Sequence, residues 1–251
     1  MIRIYPVPLS FLGDLKGSGR VKSVKYTWIE LALQKRTDDF RPESHSPVNY
    51  DFHDLKIIGE RLDTKNNWQA RKEICLRNVY TNMDTLIADS RDPKNVSLAV
   101  FKPANIVKLH WEETEREWKN EWKELRKQGD LFLPDKDPEI LIPKLPYKFS
   151  YAFTDETGKE RKLMIEDWEI GALYWNCLRS TNGNEEEALQ KVKAKYEDEF
   201  KEKDLYLFMG TTKQWHMRRA TNPFVIIGVF YPKKEVPQKA SPKNNIQTSL
   251  F

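Results

Sequence analysis

The chain has 251 residues, of which 39% are hydrophobic and 32% charged, with a net charge of +4. Its 8 Trp, 10 Tyr and 12 Phe exclude a disordered chain and predict a core built from rings. No apolar run approaches the roughly 18 residues that a membrane-spanning helix needs, and the weak positive charge permits nucleic-acid binding without demanding it.

Taken in chain order, the first ten residues alternate as a strand, and Gly13, Gly17 and Gly19 then mark a flexible loop. Residues 21–35 are rich in β-branched and aromatic side chains and predict one long strand. Residues 36–49, with Pro42 and Pro47, read as a loop. There Arg36 and Arg41 mix with Asp38, Asp39 and Glu43, a mixture expected to be solvated. Residues 52–62 predict a strand ending near Gly59. Residues 65–90 read as mainly helical, with residues 84–88 as a separate short helix. Residues 95–103 predict a buried strand closed by Pro103, and 106–112 either a strand or a helix start.

Residues 112–128 carry the clearest helical pattern, with Trp118, Trp122 and Leu125 on one stripe and Gly129 as a stop. Four prolines between 134 and 147 predict an extended connection. Beyond it, 147–153 and 159–165 predict a hairpin. Asp167 opens a buried helix over 167–180, and 185–203 predict a second, with Leu189, Val192, Tyr196 and Phe200 on its stripe. The apolar runs 204–210 and 223–231 read as central strands covered on both faces. The fold class expected is α+β: an N-terminal mixed region (1–133), the proline-rich connection (134–147), a C-terminal helix-and-strand region (148–231) and a flexible tail (232–251).

That tail ends in Gln247, Thr248, Ser249, Leu250 and Phe251. The pentapeptide resembles the short motif by which DNA replication and repair proteins dock on a sliding clamp. It fits the bacterial pattern, Gln-x-(Ser/Asp)-Leu-Phe, better than the archaeal one, which often adds a second aromatic. The resemblance implies a sliding-clamp partner, with Gln247, Ser249, Leu250 and Phe251 as the docking residues. Burying Leu250 and Phe251 in a partner's pocket contributes roughly 3–5 kcal/mol before ordering costs, at about 1.5–3 kcal/mol per side chain. The alternative is that both tuck back onto the protein's own core.

Between the last two apolar runs, residues 210–222 carry Lys213, Trp215, His216, Arg218 and Arg219. Cations interleaved with an aromatic ring suit phosphate contacts plus base stacking, so these five are the candidate DNA- or RNA-binding residues. The bland reading is a solvated connector with Trp215 packed on the body. The sequence Gly210-Thr211-Thr212-Lys213 lacks the spacing of a phosphate loop. Glu166, Asp167 and Glu169 are able to serve a metal-dependent nuclease, but acids at a helix start equally oppose the helix dipole. His45, His53, His110 and His216 show no metal-ligand spacing on a helix, although Asp51 and Asp54 flank His53. Cys75 and Cys177 supply neither a disulfide framework nor a thiolate zinc site, and Cys177 reads as core.

No cofactor, metal site or membrane partner is expected, and the N-terminus lacks a secretory signal, so a cytoplasmic location is expected. The function expected is a nucleic-acid-associated protein of DNA replication, repair or a mobile element, tethered to a sliding clamp by its tail. The alternatives are a metal-dependent nuclease and a non-catalytic subunit of a nucleoprotein or defence assembly. Whether the chain is an enzyme stays open.

Overall fold

The computed structural model describes residues 1–7, 11, 25–120 and 144–235. In chain order its elements are β1 (Arg3–Ile4), β2 (Ile29–Glu30), β3 (Leu33–Lys35), β4 (Ser44–Pro47), β5 (Lys56–Ile57), α1 (Lys65–Cys75), β6 (Val79–Tyr80), α2 (Met83–Asp89), β7 (Leu98–Phe101) and β8 (Asn105–Glu113). They continue with β9 (Tyr147–Thr154), β10 (Glu160–Ile165), α3 (Trp168–Ser180), α4 (Glu185–Lys193), β11 (Tyr206–Thr211), α5 (Lys213–Met217) and β12 (Phe224–Phe230). The protein is α+β.

A seven-stranded mixed sheet in the order β6-β7-β11-β12-β10-β9-β8 forms the centre. The runs 204–210 and 223–231 supply its middle strands, β11 and β12, paired antiparallel. Both are mostly buried, as continuous apolar strands in a sheet centre must be. Gly210 is required where β11 passes Ile227, because a Cβ there would lie 3.0 Å from two of its side-chain carbons. The hairpin expected over 147–165 is β9 and β10, turning at Gly158, whose φ of +78° favours glycine. β8 pairs with β9 from Asn105 to Tyr147, so the sheet runs unbroken across the proline-rich connection.

The core is made of rings, as the composition predicts. Tyr151, Tyr174, Phe101, Phe149, Phe153, Phe200 and Phe230 are among the largest fully buried side chains. α3 supplies Ile170, Tyr174 and Cys177 to it. Asp167 caps α3 by accepting from Glu169 N at 3.0 Å, and Asn184 caps α4 by accepting from Glu187 N at 3.2 Å. α4 passes into a π-helical segment, Ala194–Glu199. Its extra residue per turn brings Glu197 against β8, where Glu197 Oε2 accepts from Leu109 N at 2.7 Å. β8 is an edge strand, and this carboxylate occupies one of its free donors.

Several expectations are corrected. Of the strand predicted over 21–35, residues 21–24 lie outside the described residues, and the rest holds two short strands in different sheets, β2 against β5 and β3 against β4. Tyr26, at φ 64°, interrupts extended chain before β2, and Trp28 and Ile29 are exposed. The strand expected over 52–62 shrinks to β5. Within 65–90 the separate short helix expected over 84–88 is α2, but the helical stretch before it ends at Cys75 and is followed by β6, and Asn66, Asn67 and Trp68 in α1 have left-handed backbone. Of the helix predicted over 112–128, the first two residues are instead the end of β8, residues 114–119 with Trp118 are in neither helix nor strand, and residues 121–128, with Trp122 and Leu125, lie outside the described residues. So do the glycine loop of residues 13–19, most of the proline-rich connection and residues 236–251.

Candidate nucleic-acid interface

Residues 210–222 leave β11 at Thr211, form the short helix α5 over Lys213–Met217 and return through a turn to β12. Thr212 caps α5, its hydroxyl accepting from Trp215 N at 3.2 Å. Arg219, at φ 51°, then turns the chain back, and Asn222 Oδ1 accepts from Phe224 N at 3.0 Å to open β12.

This geometry divides the five predicted contact residues. Trp215 is 51% exposed, and Arg218 and Arg219 are exposed beside it. Lys213 is half-buried and its Nζ donates to Asp38 O at 2.5 Å. His216 borders a cleft with Phe40 and Arg219 but is 4% exposed, and both its ring nitrogens face the protein. Its Nε2 lies 2.6 Å from Ser90 O and its Nδ1 3.0 Å from Thr211 Oγ1. A carbonyl only accepts, so Nε2 carries the proton and Nδ1 accepts from the Thr211 hydroxyl. Burial pushes the pKa of His216 down, which keeps the ring neutral. His216 therefore anchors α5.

The loop carrying Asp39 and Arg41 lies against the same end of β11, and the expectation of solvated charges holds for exposed Asp38 but is overturned for Asp39 and Arg41. Asp39 is 1% and Arg41 5% exposed. Arg41 Nε reaches Asp39 Oδ1 at 2.9 Å, Nη2 reaches Oδ2 at 2.6 Å, and Nη1 donates to Thr211 O at 2.6 Å. Tyr5 OH adds a bond to Asp39 Oδ2 at 2.5 Å. Burial alone would raise the Asp39 pKa, but the hydrogen bonds from Arg41 and Tyr5 outweigh it and hold the carboxyl far below the usual range. Phe40, between the two buried charges, remains 46% exposed and sets its ring edge-on to His216 at 4.9 Å.

The result is an open cleft of about 720 Å³ lined by Phe40, Arg91, Asp92, Asn95, Met217 and Arg219. Arg91 Nη2 donates to Ala220 O at 2.6 Å, while its buried Nη1 has no hydrogen-bond partner. Asp92 is engaged by Asn95 at 3.0 Å. Among the described residues, no carboxylate lies within ion-pair distance of Arg91, Arg218 or Arg219. Arginine and exposed ring surface thus share one mouth. Phe40, Arg91 and Asn95 were not singled out from the sequence, because each comes from a segment far from α5 with no local pattern of its own.

The other candidates do not gather. Glu169 pairs with Lys25 at 2.8 Å, Asp167 caps α3, and burial raises the pKa of Glu166. His45 Nδ1 meets Glu43 O at 3.0 Å, and exposed His53 pairs with Asp51 at 2.7 Å. Among the described residues, no group of three or more His, Cys, Asp or Glu is placed to hold a metal ion, and no helix is long and apolar enough to cross a membrane. Cys177 is core, as expected. The docking residues Gln247, Ser249, Leu250 and Phe251 lie outside the described residues.

A family model described as a domain of unknown function (DUF8757) matches residues 79–249. A second, also described as a domain of unknown function (DUF8758), matches residues 1–77. No curated protein and no solved structure matches the chain.

Proposed function

We propose, for a chain that belongs to the DUF8757 family, that it is a nucleic-acid-associated protein that contacts a single strand at the α5 cleft. The observation that carries this reading is that exposed Phe40 shares the cleft with Arg91 and Arg219 while Trp215 and Arg218 are exposed on the neighbouring α5 segment, the three arginines having no carboxylate partner among the described residues. Unpaired guanidinium groups meet phosphates, and exposed rings offer a face to unstacked bases. The setting supplied by the tail is DNA replication, repair or a mobile element. In that setting Gln247, Ser249, Leu250 and Phe251 tether the protein to a sliding clamp while the cleft works on the strand.

Two measurements test the reading. Anisotropy of a labelled single-stranded oligonucleotide should show binding that weakens about tenfold in Trp215→Ala, since stacking is worth about 1–3 kcal/mol per base. Replacing both Arg218 and Arg219 by Gln should flatten the log–log salt dependence by about 1.4, at roughly 0.7 per phosphate contact. Unchanged affinity in both variants rejects the cleft. Separately, purified bacterial sliding clamp should bind the whole protein but not one shortened by residues 246–251, and equal binding rejects the tether.

A further inference from the structure

A second pocket lies at the other end of β12 from the α5 cleft, about 20 Å away at roughly 3.3 Å per strand residue. It has a volume of about 390 Å³, and Lys25, Tyr26, Arg61, Trp68, Arg71 and Tyr231 line it. Arg71 is its decisive feature. The side chain is only 4% exposed, yet its Nε and Nη2 reach only a neutral group, Leu62 O, at 3.0 and 2.7 Å. Its guanidinium lies 3.9 Å from the ring centre of Tyr26 and 5.1 Å from that of Trp68. Two acids also line the pocket, and each has a partner: Glu169 pairs with Lys25 at 2.8 Å, and Asp63 with Lys65, through its backbone N at 2.9 Å and Nζ at 3.5 Å. A buried cation without a counter-ion is costly, and burial accordingly pushes the pKa of Arg71 down. Such a group invites an anion from outside the chain.

The backbone around the pocket is held in an uncommon form. Tyr26 and Trp68 have φ of 64° and 65°, and Asn66 and Asn67 are left-handed as well. Bulky residues rarely adopt this conformation, and where they do the positions gather at ligand clamps. Asn67 fixes the turn with two bonds to Lys233, donating to its O at 2.8 Å and accepting from its N at 2.7 Å.

We propose that this pocket binds a nucleotide, its phosphate on Arg71 and Arg61 and its base against the rings of Tyr26, Trp68 and Tyr231. Arg61 and Arg71 supply the charge, the rings supply flat apolar surface, and the volume suits a mononucleotide. The same chemistry is carried by a free nucleotide and by the phosphorylated end of a strand. This inference does not depend on the α5 cleft.

Isothermal titration of the whole protein tests it with four probes: adenosine 5′-monophosphate, inorganic phosphate, and one short single-stranded oligonucleotide with and without a 5′-phosphate. Binding of the mononucleotide identifies a free-nucleotide site. A preference of tenfold or more for the 5′-phosphorylated oligonucleotide, without mononucleotide binding, identifies a strand end. In the first case Arg71→Gln and Arg61→Gln should each weaken mononucleotide binding at least tenfold; in the second each should abolish the preference for the 5′-phosphorylated oligonucleotide, a ratio that is read apart from the strand's own affinity for the α5 cleft. Arg61 is exposed, so its variant keeps the fold and remains informative where the Arg71 variant unfolds. Equal affinity for inorganic phosphate and the mononucleotide overturns the proposal, as does wild-type binding in Arg61→Gln, or no phosphate-dependent binding at all.

Discussion

Asp39 and Arg41 hold a full charge each in the interior, two residues apart, and the guanidinium fork makes this possible. It satisfies both carboxylate oxygens and Thr211 O at once. Arg41→Ala leaves a buried carboxylate unpaired and should cost about 3–5 kcal/mol in chemical denaturation. Arg41→Lys should also destabilise, because one ammonium cannot make the same three contacts. The pH dependence separates this pair from His216. The Asp39 carboxyl is held far below its unfolded pKa of about 4, so its contribution is complete above that pH and is lost as pH falls below it. His216 is likewise depressed, here by burial. The unfolded chain gains a proton near pH 6.5 that the folded ring refuses, so stability falls as pH drops below that value. Denaturation midpoints at pH 7 and pH 5 should therefore differ more in the wild type than in His216→Gln. From sequence, alternating charges in a proline-bearing loop read as solvated. What reversed that was the approach of β11 from about 170 residues away, which no local pattern records.

At the scale of elements, the long apolar runs were legible and the short strands were not. β11, β12, the β9–β10 hairpin, α3 and α4 each bury a continuous face, so hydrophobicity recorded them. The stretch over 21–35 has apolar residues on both faces and was read as a strand, yet its pieces are surface strands beside a left-handed Tyr26. A π segment has no sequence signature distinct from that of a helix, so the stripe of Leu189, Val192, Tyr196 and Phe200 was visible while the turn that carries Glu197 was not. That turn makes a specific prediction. Glu197 is buried against β8, and although burial opposes ionisation, its bonds to Leu109 N and Lys201 keep its pKa below the ordinary value. Glu197→Ala should cost about 2 kcal/mol, the range of a hydrogen bond to a charged group. It should also speed hydrogen exchange at the Leu109 amide in particular. Stability loss without faster exchange at Leu109 would point to packing rather than to the edge bond.

At the scale of the whole molecule, prolines over 134–147 marked a connection, but the two sides of that connection are zipped together as β8 and β9. Proline reports that a segment is neither helix nor inner strand and is silent on which strands it joins. The weaker seam runs elsewhere. Among the described residues, 1–77 bury few apolar side chains of their own, chiefly Phe52 and Leu55. Besides the Trp68 ring, which meets Phe230 and Tyr231 at 5.1 Å each, they are fastened to the large sheet by polar bonds. Glu43 accepts from Ser97 N at 3.0 Å and Ser97 Oγ at 2.7 Å, and Arg3 donates to Ser97 O at 3.3 Å. Arg41 adds its bond to Thr211 O, and Asn67 its pair to Lys233. A segment with so little apolar core cannot offset its own conformational entropy. Residues 1–77 made alone should therefore show no cooperative thermal transition by circular dichroism. Within the whole protein they should unfold with the sheet in a single step. Glu43→Ala strips fully buried Ser97 of its acceptors and should lower that single midpoint by several degrees, at about 4 °C or less per kcal/mol for a chain of this size. A separate low-temperature transition in the wild type would show instead that the N-terminal residues fold independently, and that the polar seam is a contact between two self-sufficient units.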